Sequence, residues 1–270
     1  MRIGNKEFKQ GQTYVMGILN VTPDSFSDGG TYNQMDAALF HAKEMMQEGA
    51  AILDIGGEST RPGYQQISVQ EEIARVIPVV ERLKKEYDLP LSVDTYKSEV
   101  AEAALQAGAD LINDIWGLKY DMRMAKVIAQ YGAACCLMHN RQNTSYENFL
   151  EDVCLDLQES LSLAKAAGIA NDRILLDPGV GFAKDYEQNL QTIASLKKIK
   201  TLGFPVLLGA SRKSVIGNTL HLPADERLEG TLVTTVYAVQ QGCMFVRVHD
   251  VKENIRAIQM ANAIEQARHE

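Results

Sequence analysis

Basic side chains gather in two short segments near the end of the chain. Ser211-Arg212-Lys213-Ser214 follows one apolar run, and Arg247-Val248-His249 ends another. Residues two apart in a strand share a face, so Arg247 and His249 would point the same way. Guanidinium and imidazole donors suit phosphate oxygens, and a helix starting near Ser214 would attract an anion at its N-terminus. These segments predict a phosphate site, with a solvated basic loop and a surface ion pair as the alternative.

Carboxylate and amide side chains form a second candidate group. Asp94, Asn113 and Asp177 follow three different apolar runs. If these residues converge with Lys213, their acceptors and donors could bind the polar edge of a flat heterocycle. Helix N-capping is the alternative role for Asp94 or Asp177 taken singly.

Asn20 ends the first long apolar run and precedes Val21-Thr22-Pro23-Asp24. One neutral amide oxygen is a poor metal cage alone, but it suits Mg²⁺ that is held mainly by substrate phosphates and water. The alternative is an asparagine that only forms the turn before Thr22-Pro23.

The elements that must position these residues repeat eight times. Each apolar run ends in polar residues, and a segment of helical periodicity follows it. A strand buried on both faces reads as a continuous apolar run, and polar residues at carboxyl ends are typical of active sites in α/β barrels. The sequence therefore predicts an α/β fold, a (β/α)8 TIM barrel, as a single domain over residues 1–270. The apolar runs are 14–19, 51–53, 91–93, 111–112, 133–138, 174–176, 206–208 and 245–248.

A doubly wound dinucleotide-binding sheet fits less well, because no GxGxxG follows the first strand. Residues 1–12 are predicted as a strand or hairpin closing the barrel bottom, and the long connections 21–33 and 56–68 as functional loops. Gly49, Gly108 and Gly168 are predicted to end helices. The predicted helices are 34–48, 68–87, 97–107, 121–131, 146–168, 186–202, 226–242 and 251–267.

Composition narrows the function classes. The chain has 270 residues and a net charge of −8, which argues against a general nucleic-acid binder. The start has no apolar leader segment and no run is long enough to span a membrane, so we expect a cytoplasmic protein without membrane partners. The four cysteines have no CxxC spacing and are expected to be free thiols. No HExxH, P-loop or GxSxG motif occurs.

Five segments of the chain, in order and spanning nearly its whole length, closely resemble dihydropteroate synthase. They are 16–30 (MGILNVTPDSFSDGG), 56–63 (GGESTRPG), 177–182 (DPGVGF), 211–214 (SRKS) and 247–250 (RVHD). The resemblance implies a folate-pathway transferase on a TIM barrel, which is usually a homodimer and is the target of sulfonamides. That enzyme joins 6-hydroxymethyl-7,8-dihydropterin diphosphate to 4-aminobenzoate and releases diphosphate.

The family pattern is matched at every site position and implies a role for each. Lys213, Arg61, Arg247 and His249 would be catalytic. Asn20 would contact Mg²⁺ and, with Arg61, Arg247 and His249, the diphosphate. The pterin would lie on Asp94, Asn113, Asp177 and Lys213, with Thr60 nearby. The 4-aminobenzoate would lie near Ser214, Phe182, Pro62 and Phe26.

Three other functions use parts of the same pattern. A pterin-dependent methyltransferase would share the heterocycle pocket but would not need the Asn20 and Arg61 groups. A non-catalytic pterin-binding paralogue would be expected to lack the basic residues. A Schiff-base aldolase could use Lys213, although no base is evident beside it.

Overall fold

Eight parallel strands form the centre of the computed structural model, which describes residues 1–22, 31–58 and 66–267, with only the backbone of residues 31–34. The sheet order is β8-β7-β6-β5-β4-β3-β10-β9, and a parallel bridge between Leu176 and Val206 joins its two edges. The predicted TIM barrel is therefore confirmed. The strands are β1 (Arg2–Ile3), β2 (Lys6–Glu7), β3 (Tyr14–Asn20), β4 (Ile52–Gly56), β5 (Leu91–Asp94), β6 (Leu111–Asp114), β7 (Ala134–Met138), β8 (Ile174–Asp177), β9 (Leu207–Leu208) and β10 (Phe245–Val248).

Helices cover the outside of this barrel, and most lie within three residues of the predicted bounds. The predicted helix 186–202 is instead two helices with a break at Ser195. A short helix begins at Ser214, where the phosphate prediction assumes one, although the predicted segments give no bounds for it. The helices are α1 (Thr31–Gln47), α2 (Val69–Glu86), α3 (Ser98–Gln106), α4 (Met124–Tyr131), α5 (Phe149–Ala166), α6 (Tyr186–Ala194), α7 (Leu196–Lys200), α8 (Ser214–Leu220), α9 (Leu228–Gln240) and α10 (Val251–Ala267).

The amino-terminal hairpin closes the bottom of the barrel, as predicted. β1 pairs with β2 in antiparallel register. Ile3 and Phe8 are buried and pack against Met16 and Phe245, which belong to the lowest layer inside the barrel. The phenylalanine rings of residues 8 and 245 make an edge contact with centroids 5.0 Å apart. This apolar plug keeps water out of the end of the barrel opposite the chemistry.

The barrel interior changes from apolar to polar within two residues along each of several strands. The lowest layer contains Met16, Ile52, Leu111, Leu175, Leu207 and Phe245. Side chains two apart share a face, so the next layer towards the carboxyl ends receives polar groups. That layer includes Asp54, Asn113, Asp177 and Arg247.

Left-handed glycines end helices where the sequence predicted them. Gly108 has φ +106° after α3, and Gly168 has φ +87° after α5. A residue with a Cβ rarely adopts these angles, so glycine allows the chain to turn directly into the next strand. Within the described ranges, we find no helix that combines the length and apolar character needed to cross a membrane.

Candidate active site

Asp54 is the centre of the polar layer and lies within β4. Its carboxylate is fully buried and accepts hydrogen bonds from the side chains of three other strands. Arg247 Nε donates to Oδ2 at 2.5 Å, Asn113 Nδ2 donates to the same oxygen at 3.1 Å, and Ser92 Oγ donates to Oδ1 at 2.5 Å. Asp54 thereby sets the orientation of Arg247 and Asn113, two of the predicted ligand residues.

Asp94 has a carboxylate oxygen that lacks a partner. Oδ2 accepts from Arg247 Nη2 at 2.8 Å, whereas Oδ1 is buried and no described residue donates to it. Burial, with a smaller contribution from the neighbouring Asp54 carboxylate, raises the pKa of Asp94 to about 7 despite Arg247. A buried acceptor without a donor is costly, so this oxygen suits a ligand that brings an N–H group.

Asp177 and Lys213 face each other across a space that Gly209 leaves open. A Cβ at Gly209 would lie 3.4 Å from Asp177 Oδ2 and 3.7 Å from Lys213 Nζ. Asp177 Oδ1 accepts from the backbone N–H of Gly179 at 2.7 Å, and Lys213 Nζ donates to the carbonyl of Val180 at 2.5 Å. Burial raises the pKa of Asp177, and burial lowers the pKa of Lys213 to about 8. Lys213 thus stands as a donor opposite a carboxylate acceptor, and its contact with a ligand stays a prediction.

An apolar wall borders this space. The ring of Phe182 lies 4.9 Å from Lys213 Nζ and packs with Tyr96, Trp116 and Met138. Trp116 is therefore part of the same wall. A planar ring between such a wall and the polar layer would gain both stacking and hydrogen bonds.

The exposed Ser214 opens α8, but Lys213 is the N-cap residue and makes no side-chain capping bond. The predicted group Asp94, Asn113, Asp177 and Lys213 nevertheless comes together at one opening, and Phe182 adjoins it.

Arg247 and His249 lie one after the other along the predicted phosphate side of the mouth. Arg247 donates from Nε to Asp54 and from Nη2 to Asp94. Its third nitrogen, Nη1, has no partner among the described residues. His249 Nδ1 is 3.0 Å from Ser211 Oγ, and the same hydroxyl accepts from the backbone N–H of His249 at 3.2 Å. Ser211 thus fixes the His249 ring, and the sequence had not marked Ser211 as a site residue by itself.

Asn20 lies at the same edge of the barrel. In the strand register Asn20 pairs with Gly56, and Gly56 pairs with Asp94. Asn20 Oδ1 is 3.4 Å from where a Cβ at Gly56 would stand. No group of three or more His, Cys, Asp or Glu side chains suited to a metal occurs in the described ranges. The contact of Asn20 with Mg²⁺ held mainly by substrate oxygens stays a prediction.

Some of the predicted site lies outside the described residues. Thr60, Arg61 and Pro62 belong to the 59–65 segment, and Phe26 belongs to the 23–30 segment. Their roles stay predictions.

Asp54 is a further residue of the polar layer that the sequence patterns do not indicate. The predicted apolar run 51–53 stops before Asp54 and places this residue beyond the end of the strand. β4 in fact continues to Gly56, and Asp54 is buried inside the barrel. The available signal was its position two residues after Ile52, which gives it the same inward direction.

Comparison with known proteins identifies the family. The sequence pattern of the family described as pterin binding enzyme matches residues 16–249. The chain is 58% identical to a dihydropteroate synthase of Clostridium beijerinckii over 266 residues, covering 98% of this chain and 99% of that protein. The chain belongs to the dihydropteroate synthase family.

Solved structures of other dihydropteroate synthases share the fold. One from Clostridium difficile, determined in the presence of pteroic acid, superimposes with a TM-score of 0.93 and 51% identity, covering 96% of this chain and 99% of the other. One from Xanthomonas albilineans with 4-aminobenzoic acid superimposes with a TM-score of 0.90 and 43% identity, covering 94% and 93%. The resemblance drawn from the sequence motifs is confirmed.

Proposed function

We propose that the mouth of this barrel performs the dihydropteroate synthase reaction. The enzyme is a transferase of folate biosynthesis that condenses 6-hydroxymethyl-7,8-dihydropterin diphosphate with 4-aminobenzoate. The products are 7,8-dihydropteroate and diphosphate. The observation that carries the site assignment is the convergence of Asp94, Asn113, Asp177 and Lys213 at the carboxyl ends of their strands. One buried oxygen of Asp94 there receives no hydrogen bond from any described residue.

Pterin recognition follows from the donors and acceptors of the polar layer. A pterin presents amino and ring N–H donors beside a ring carbonyl. Asp94 Oδ1 and Asp177 Oδ2 can accept from such donors, and Lys213 Nζ can donate to a carbonyl or a ring nitrogen. Gly209 leaves the room that the ring edge would occupy between Asp177 and Lys213. The aminobenzoate would then approach along Phe182 and Ser214, on the side of the pocket formed by the Gly179–Phe182 turn and the start of α8.

The diphosphate would lie towards Arg247 and His249. Arg247 offers its Nη1 group, and because the buried Asp54 and Asp94 carboxylates raise its pKa it stays charged. Asn20 fits Mg²⁺ only when the substrate supplies most of the oxygens, and Mg²⁺ bound in that way would neutralise charge on the diphosphate. Arg61 would add a further charge from the segment outside the described residues.

Catalysis of this reaction requires above all that the departing diphosphate be stabilised. As the C–O bond to diphosphate breaks, negative charge grows on the departing oxygens, and Arg247 and His249 are placed to stabilise it. The aminobenzoate nitrogen is nucleophilic at neutral pH, so its attack on the methylene carbon needs no activating base. The proton that this nitrogen loses once the C–N bond has formed can pass to the released diphosphate or to water. The electron-rich pterin can spread positive charge from its methylene, which allows departure of diphosphate before attack. Phe182 and the wall behind it would limit access of water to that methylene carbon.

Calorimetry followed by product analysis tests this function. We expect pterin diphosphate to bind with and without Mg²⁺, more tightly with it, and added 4-aminobenzoate to release diphosphate and form 7,8-dihydropteroate. Binding without any product on addition of 4-aminobenzoate would overturn the proposal. Sulfonamides should compete with 4-aminobenzoate in the same assay.

We also propose a cytoplasmic homodimer. Outward-facing apolar side chains lie four residues apart on two neighbouring helices, Val233 and Tyr237 on α9 and Met260 and Ile264 on α10, each between 48% and 62% exposed. Pairing this face with a second copy would bury them. Light scattering should give twice the monomer mass, and Tyr237→Glu should reduce it to that of one chain. An unchanged mass for that variant would refute the choice of face.

The cytoplasmic location is supported by the cysteines, which are free thiols and therefore fit a reducing compartment.

A further inference from the structure

Behind the substrate mouth lies a largely buried group of hydrogen-bonded polar side chains, which we call the Lys184 cluster: Lys184, His139, Asp156 and Arg141. We propose that Lys184 is a positioning residue that holds the Gly179–Phe182 turn in the shape needed to bind 4-aminobenzoate. This inference rests on the proposed function, because it assigns a second lysine to the same reaction.

Lys184 places its ammonium group against three acceptors. Nζ donates to the carbonyl of Gly179 at 3.0 Å, to the carbonyl of Phe182 at 3.1 Å, and to Nδ1 of His139 at 2.8 Å. These are all the hydrogen bonds that an ammonium group can donate. Two of them end on the backbone at either end of one four-residue turn, so Lys184 fixes the distance between those ends.

His139 is held in the tautomer that can accept from Lys184. Its side chain is fully buried at the end of β7, and Nε2 lies 2.9 Å from Asp156 Oδ2. A carboxylate requires a donor, so Nε2 carries the proton and Nδ1 presents a lone pair to the ammonium group. Asp156 is fixed in turn by Arg141, whose Nε lies 2.5 Å from Oδ2. The cluster therefore anchors Lys184 to α5 and to the segment after β7.

The held turn carries two parts of the substrate site. Val180, in the middle of the turn, accepts from Lys213 Nζ, and Phe182 at its end forms the apolar wall. Lys184 thus donates hydrogen bonds to the turn on the side away from the substrate, and Lys213 donates one on the substrate side. The carbonyl of Phe182 accepts a hydrogen bond directly from Lys184. Lys213, by contrast, is also held in position as the N-cap residue of α8. Loss of Lys184 should therefore disturb the aminobenzoate subsite more than the pterin subsite.

The backbone of the turn packs very closely against the backbone of His139. Gly179 has φ +71°, and a Cβ there would lie 2.0 Å from the carbonyl oxygen of His139. The backbone of the turn thus packs directly on the residue that accepts from Lys184. A shift of Lys184 or His139 would move the turn with no side chain between to absorb it.

The test compares Lys184→Met with Lys165→Met in the full-length enzyme. Both remove one positive charge, but Lys165 is an exposed residue near the end of α5. We expect Lys184→Met to keep its circular dichroism spectrum and raise KM for 4-aminobenzoate about 10- to 100-fold, with a several-fold smaller change for pterin diphosphate. Lys165→Met should match the wild type. His139→Leu, which removes the acceptor while keeping the volume, should give the same bias between substrates.

The possible results separate this inference from the proposed function. A wild-type enzyme that forms no dihydropteroate would refute the function itself. An active wild type together with a Lys184→Met enzyme that matches Lys165→Met would refute the positioning role alone. Equal losses for both substrates in Lys184→Met and His139→Leu would mean a general structural role and would also refute it. If Lys184→Met does not fold, His139→Leu decides by the same criteria.

Discussion

Asp54 allows a quantitative prediction because its carboxylate is fully buried and its hydrogen-bond partners are known. Replacing Asp54 with Ala removes the acceptor of Arg247, Asn113 and Ser92 at once. Breaking a buried charge pair by removing one partner costs roughly 3–5 kcal/mol, because the remaining charge stays buried and uncompensated. Arg247 keeps its contact with Asp94 at 2.8 Å, which favours the lower end of that range. We therefore expect Asp54→Ala to lose about 3 kcal/mol of unfolding free energy.

A double-mutant cycle isolates the contribution of the ion pair. Arg247→Met should also destabilise the protein, since it leaves Asp54 and Asp94 as adjacent buried carboxylates. In the double variant Asp54→Asn, Arg247→Met, neither charge of the pair remains. We expect it to be more stable than the sum of the single effects predicts by roughly 1–3 kcal/mol, the usual coupling for residues in contact.

Urea unfolding monitored by circular dichroism measures all four proteins of the cycle. Equal slopes with denaturant would show that the transitions compare the same unfolding reaction. Additive losses for Asp54→Asn and Arg247→Met would refute the reasoning, since they would mean that the two side chains do not interact. Loss below about 1 kcal/mol for Asp54→Ala would refute the claim that this carboxylate organises the polar layer.

Further predictions address the ligand-binding groups. Lys213→Met should weaken binding of pterin diphosphate by roughly 10- to 150-fold in calorimetry, the effect of losing a hydrogen bond to a charged donor, with little change in folding. Gly209→Val should also weaken it, because the side chain would enter the space between Asp177 and Lys213; full affinity would place the ring elsewhere. Affinity should fall above about pH 8, where Lys213 loses its charge. Folding raises the pKa of Asp94 from 3.8 to about 7, so the native state holds this proton more tightly than the unfolded chain does. The unfolding free energy of the ligand-free protein should therefore decline as the pH rises between those two pKa values. Asp94→Asn should make that decline shallower in urea titrations, while the raised pKa values of Asp177 and Asp114 keep part of it. EDTA should lower turnover but leave binding of a pterin without diphosphate unchanged.

The barrel could be predicted from sequence because its strands are short apolar runs that end in polar residues. The same pattern indicated Asp94, Asn113 and Asp177, since each is the last or next-to-last residue of its strand. Asp54 broke the pattern, because it is a charged residue inside a strand, and only its hydrogen bonds to three other strands explain how it is accommodated.

Long-range pairs were beyond sequence reasoning for a different reason. The contact of Lys184 with His139 joins residues 45 apart, and that of Arg247 with Asp54 joins residues 193 apart. No local periodicity encodes which side chain on a neighbouring strand or loop a buried donor will meet. The sequence does not indicate the break at Ser195, because apolar residues continue at helical spacing on both sides of it.

The most direct test of the account is a crystal structure of the enzyme saturated with the pterin diphosphate substrate. We expect N–H groups of the heterocycle within hydrogen-bond distance of Asp94 Oδ1 and Asp177 Oδ2, with the diphosphate towards Arg247 and His249. A heterocycle bound away from these carboxylates, with Asp94 Oδ1 still lacking a donor, would contradict the assignment of the site.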